Sequence, residues 1–182
     1  MRIFLALRVS REVEQQCLSA INQLRAAGFQ AAWTKSGNFH LTLAFFGERH
    51  PVDVDELVQA LRNHLAYDSF PLETEKIGFF RKANSLAVLW VGLKKSTLYN
   101  ALCEAINHSL TDIDFEPIGL EQGHITLGRI KTAPATWKET ITGIQLPSVV
   151  FPVKEVVLFK SVLSPQGAIY TEIETFLADR EL

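Results

Sequence analysis

Cysteine is scarce: the chain has only Cys17 and Cys103, and they stand at no metal-ligand spacing. That excludes a disulfide framework and a cysteine-built zinc site, and both residues read as reduced thiols on helices of a cytoplasmic protein. Excess charge is also missing. Lys and Arg number 18 against 20 Asp and Glu, for a net charge of -2. The surface is therefore no general adhesive for nucleic acid, and any such substrate must be held at a local basic site. Long apolar runs are absent as well. The opening run ends at Arg8, too early for a signal peptide, and no window approaches the roughly 18 residues a membrane helix needs. No HExxH, no clustered carboxylates and no low-complexity linker occur, so residues 1–182 are expected to form one domain that binds no metal.

What remains is the composition of an ordinary globular protein, 47% hydrophobic and 21% charged. Arg2 to Val9 alternates as a strand. Ser10 caps a helix running to about Ala27, with Val13, Cys17, Ile21 and Leu24 on one face and Gly28 as its stop. A loop holding Trp33 and Gly37 leads to a strand that starts at His40 and ends at Gly47. Asp53 with Glu56 reads as the capping box of a second helix, which presents Val54, Leu57, Val58, Leu61 and Leu65. Phe70–Phe80 and Leu86–Leu93 read as a hairpin turning at Arg81-Lys82-Ala83-Asn84, the second strand apolar on both faces and so central. Thr97 caps a third helix bearing Leu98, Leu102, Ala105 and Ile106. A polar connection with Pro117 and Gly119 follows, then a strand from His124. Pro134 and Pro147 bracket a variable surface segment. Two strands, about Val149–Val162 and Ala168–Glu174, close the chain around Ser164-Pro165-Gln166-Gly167. The class is α+β with mainly antiparallel sheets.

One pattern occurs twice. His40-Leu41-Thr42-Leu43 opens one strand and His124-Ile125-Thr126-Leu127 another, although the chain has only five histidines. On a strand, residues i and i+2 share a face, so each copy sets a His beside a Thr. A helix precedes each copy, which suggests two similar lobes facing each other with one motif apiece. Two imidazoles in one cleft supply an acid and a base near neutral pH. Thr42, Thr126 and Arg129 are candidate donors to a phosphoryl oxygen. By strict alternation Phe46 shares the face of His40 and Phe45 lies opposite, and core packing is the better reading of both. His50, His64 and His108 read as surface or boundary residues, and Arg81, Lys82, Lys94 and Lys95 as solvated charges.

HLTLAFFGE with Trp33 and Asn38 upstream, and HITLGRI in the second half, resemble the two-histidine (2H) phosphoesterases, especially the RNA 2',3'-cyclic phosphodiesterases also called 2'-5' RNA ligases. The opening strand Arg2–Leu7 and the closing Leu158–Ser161, Gly167 and Tyr170 extend the resemblance across nearly the whole chain. It implies a bilobal fold with helices on the outer faces, a central cleft carrying both motifs, no metal and no cofactor. It further implies His40 as proton donor, His124 as proton acceptor, and an RNA or nucleotide 2',3'-cyclic phosphate opened to a 2'-phosphate. No membrane and no obligate protein partner are expected. Gly123 stands where the family usually has proline. Reverse 2'-5' ligation and a non-catalytic RNA-end binder are the competing readings.

Overall fold

The computed structural model describes residues 1–83, 85–115, 123–165 and 167–181. Asn84 of the first expected turn, Gln166 of the second, and Pro117 and Gly119 of the polar connection lie outside the described residues. The elements are β1 (Arg2–Arg8), α1 (Arg11–Ala26), β2 (Gln30–Trp33), β3 (His40–Glu48), α2 (Pro51–His64), β4 (Phe70–Lys82) and β5 (Ser85–Leu93). They continue with α3 (Thr97–Ser109), β6 (His124–Thr132), α4 (Trp137–Gly143), β7 (Val150–Val153), β8 (Glu155–Ser164) and β9 (Gly167–Leu177).

The fold is α+β, and the strand pairings among the described residues are antiparallel. The strands run as one path, β7-β4-β5-β6-β3-β1-β8-β9, with β2 added along β6. That path narrows in the middle, where β3 and β6 are joined by the single pair Leu41–Ile125. Strand β1 shows how the layers arise. Ile3, Leu5 and Leu7 join the main core with Val13, Cys17, Ile21 and Leu24 of α1. Phe4 and Ala6 point to the other face and pack with Val157, Phe159 and Tyr170. Period-2 alternation thus separates a helix-backed core from a second, aromatic face.

Several boundaries differ from the sequence reading, each for a local reason. Ser96, not Thr97, caps α3, its hydroxyl accepting from the Tyr99 amide at 3.2 Å. Leu98 then falls in the first turn and is 52% exposed rather than on the packed face. Helix α2 starts at Pro51, whose fixed φ suits a first helical position. Asp53 lies inside it and accepts from the His50 amide at 3.1 Å, which makes His50 the cap. Residues 30–33, expected as loop, form β2 because Ala31 to Trp33 pair with Ile130 to Gly128. The single strand expected over Val149–Val162 breaks at Lys154: β7 pairs with β4 and β8 with β1, opposite ends of the path. The surface segment between Pro134 and Pro147 contains the short helix α4.

Candidate active site

Both motif strands have the same backbone irregularity. Along β3, Ala6 faces Thr42 but Leu5 faces Ala44, so Leu43 is an extra residue. Along β6, Trp90 faces Thr126 but Leu89 faces Gly128, so Leu127 is extra. Each is a bulge directly after the motif threonine, and a bulge re-aims the side chains beyond it. The residue five positions past each His therefore comes to the motif face. It is Phe45 in β3, 43% exposed, and Arg129 in β6, also exposed. Phe46 is buried in the core against Phe115. Strict alternation had Phe45 and Phe46 the wrong way round, because it cannot see the extra residue.

The two histidines are half-buried, and the Leu41–Ile125 pair places their strands side by side. His40 is tightly specified. Its Nδ1 lies 2.8 Å from the Asn38 carbonyl oxygen. A carbonyl only accepts, so Nδ1 carries the proton and Nε2 is the nitrogen available to a substrate. Asn38 is itself fixed, its side-chain amide donating to the Ala168 carbonyl at 3.0 Å. The imidazole lies 5.0 Å from the Phe4 ring and edge-on to Tyr170 at 5.1 Å. Burial holds the pKa of His40 below the ordinary histidine value, and positive charge on His124 adds to that; the Asn38 hydrogen bond acts in the opposite direction.

His124 has different neighbours. Phe80 stands edge-on at 4.9 Å and Trp90 lies at 5.9 Å. Its partner across β5 is Gly92, and Trp90 fills the space that glycines leave. A Cβ on Gly78 would meet the Trp90 ring at 2.0 Å, and one on Gly92 would meet it at 3.0 Å. Gly123, where the resemblance leads one to expect proline, is covered by Tyr99: a Cβ there would lie 2.9 Å from the phenol ring. Trp33 packs in the same way on Gly128, the glycine of the second bulge. The hydroxyl of Thr34 anchors this stretch by donating to the Thr126 carbonyl at 2.8 Å.

Thr42 and Thr126 are half-buried beside their histidines, facing Ala6 and Trp90 across the sheet. The charge of Arg129 reaches the Tyr170 phenol, partly offsetting the upward push of burial on that group. His50, His64 and His108 are exposed, and Lys94 is paired with Glu73 at 2.7 Å. Among the described residues no group of three His, Cys, Asp or Glu side chains could hold a metal ion, and no helix is long and apolar enough to cross a membrane. Sequence reasoning singled out neither Phe80 nor Trp90. Glycine inside a strand marks close approach of a neighbour, so Gly78 and Gly92 were the signal for Trp90.

Two imidazoles on adjacent, bulged strands, with a threonine beside each, are the kind of groups that acid–base phosphoryl transfer uses. The comparisons agree with that class. The family model of LigT-like phosphoesterases matches residues 7–90 and again 91–170. An RNA 2',3'-cyclic phosphodiesterase of Thermotoga maritima is 32% identical over 171 residues, 93% of this chain and 91% of the relative. One of Methanocaldococcus jannaschii is 27% identical over 96% of this chain and 99% of its own. Among solved structures, TT0787 of Thermus thermophilus superposes with a TM-score of 0.77 at 26% identity, over 97% of each chain. Escherichia coli LigT complexed with 3'-AMP gives 0.76 at 22% identity, over 98% of this chain and 97% of that one, a likeness of fold. The chain belongs to the LigT-like phosphoesterase family.

Proposed function

We propose that the chain is a single bilobal domain over residues 1–182 that hydrolyses RNA 2',3'-cyclic phosphodiester ends to 2'-phosphomonoesters. The two sides of the Leu41–Ile125 junction are read as its lobes, and the face carrying both motifs as its cleft. His124, neutral, takes a proton from the attacking water. His40, charged, gives one to the departing 3' oxygen. Each transfer is worth about 10²–10⁴ in rate. Thr42, Thr126 and Arg129 hold the non-bridging oxygens, where charge builds in the transition state.

The observation that carries this reading is the pairing of Leu41 with Ile125, which sets the two motifs on adjacent strands with His40 and His124 at equivalent positions of two bulged strands. The Asn38 carbonyl suits His40 to the donor role, because it holds the Nδ1 proton and directs exchange through Nε2. Burial disfavours the charged form of His40 while the cleft is empty, whereas a phosphate anion beside Nε2 would favour it. Acid strength is thereby matched to the presence of substrate.

The test is ³¹P NMR of adenosine 2',3'-cyclic phosphate incubated with the protein. The cyclic signal should give way to that of the 2'-monophosphate, at the same rate with and without EDTA. A 3'-monophosphate product, chelator inhibition, or saturable binding without turnover would overturn the reading.

A further inference from the structure

His124 has a glycine on either hand, Gly92 across the sheet and Gly123 before it in the chain, and a ring takes the space beside each. Trp90 fills the space at Gly92. At Gly123 the phenol of Tyr99 stands 2.9 Å from where a Cβ would lie, and Leu93 reaches the same point at 3.0 Å. Tyr99 is firmly held. It is the third residue of α3, and its amide donates to the Ser96 hydroxyl at 3.2 Å. Leu102 and Ile106, three and seven residues further along the same helix face, are buried in the core. Only residues 94–96 separate α3 from β5, the strand that pairs with β6. Burial raises the pKa of the Tyr99 phenol and of the neighbouring Cys103 thiol. Both groups stay neutral, so the ring acts by contact rather than by charge.

That contact falls where the strand needs it. Among the described residues the ladder between β5 and β6 ends at the pair Gly92–His124. Gly123 is the first residue past the ladder, and glycine has the widest choice of backbone conformation. A general base must stand within hydrogen-bond reach of its proton, and a misplacement of about 1 Å can cost roughly 10² in rate. Proline at this position would fix φ through its own ring. Glycine cannot, but it admits Tyr99, and the two solutions exclude each other because any Cβ would meet the phenol. We infer that Tyr99 is a positioning residue for His124. Its ring, packed into the space that Gly123 leaves, holds the backbone at the entry to the second motif strand and so fixes where the acceptor imidazole stands. The inference rests on the acceptor role given to His124 above.

Tyr99→Ala should lower kcat on adenosine 2',3'-cyclic phosphate about tenfold, with KM changed less than about twofold. Tyr99→Phe keeps the ring and should retain most of the wild-type kcat. The deciding readout is Tyr99→Ala made in the His124→Ala protein. There it should cost nothing further, because Tyr99 acts through His124. An equal loss in both backgrounds would reduce Tyr99 to a packing residue and overturn the inference. Gly123→Ala gives a reciprocal test. Alone it should lower kcat, since the new Cβ forces the ring aside; in Tyr99→Ala it should raise kcat, since the space is open and the methyl narrows the backbone's choices. A loss in both backgrounds would overturn the inference. A measurement on the unaltered protein guards against variants that fail to fold: nuclear Overhauser contacts should join the Tyr99 ring to the Gly123 Hα protons, and their absence would overturn it. Full activity in His124→Ala would refute the acceptor role itself. Wild-type kcat in Tyr99→Ala beside an inactive His124→Ala would refute the positioning role alone.

Discussion

Strands β3 and β6 have the same motif, the same bulge after its threonine and the same burial pattern over their first six residues, yet they deliver two different histidines. His40 sits among Phe4, Tyr170 and Phe159, with Nδ1 committed to a backbone carbonyl. His124 sits beside two glycines, Gly92 and Gly123, and is flanked by Phe80 and Trp90. Past the bulge one strand offers the aromatic ring of Phe45 and the other the guanidinium of Arg129. A duplicated strand sets the direction of a side chain, but its neighbours set its chemistry. Acid–base catalysis needs two groups in opposite protonation states, and unlike surroundings on like strands are a direct route to that.

Breaking the pair at its centre should have the largest effect. His40→Ala and His124→Ala should each lower kcat on adenosine 2',3'-cyclic phosphate by about 10²–10⁴, with circular dichroism unchanged. The double variant should lose little more than the weaker single one, because residues acting as a unit are not additive. Full activity in either single variant would end the reciprocal mechanism.

The positions past the bulges come next. In the proposed role Arg129 gives phosphate a charged hydrogen bond, worth about 1.5–3 kcal/mol, so Arg129→Ala should lower kcat/KM roughly 10- to 100-fold. Arg129→Lys should restore only part of it, since an ammonium lacks the planar fork. Phe45→Ala should stay within a few fold of wild type. Equal losses at Phe45 and Arg129 would mean that the halves are chemically alike.

The smallest effect is electrostatic. In the free protein the pKa of His40 is lowered by burial and by the charge of His124. The reactive form needs His40 charged, so kcat/KM should begin to fall with rising pH below the ordinary histidine value of about 6.5. Bound phosphate stabilises the charged imidazole, so the same limb in kcat should lie at higher pH. In His124→Ala the opposing charge is gone, and NMR titration should find His40 shifted upward. A downward shift, or none, would show that the two rings do not interact.

Much of this was legible in the residues. The period of the motif strands, the caps at Ser10 and Gly28, and the central place of the strand read over Leu86–Leu93 follow from local rules, because each concerns neighbours along the chain. Here Ser10 accepts from Val13, and Gly28 adopts a φ of +91°. The elements misread were those whose evidence lies elsewhere. Strand β2 exists because β6 lies beside it, and the break at Lys154 exists because β4 and β1 claim successive halves of one apolar run.

By itself the sequence determined the class of chemistry, since two His-x-Thr strands and Arg129 are covalent facts that no packing alters. It also determined the α+β class, through the spacing of apolar residues. Only the tertiary structure decided how those groups are used. The register of β1 against β3, and of β5 against β6, inserts an extra residue after each threonine and so brings Phe45 and Arg129 to the motif face. The loop holding Asn38 selects the tautomer of His40. The rings packed against that histidine come from β1 and β9, distant in the chain. A side chain's direction belongs to its strand, but its proton affinity belongs to everything packed around it.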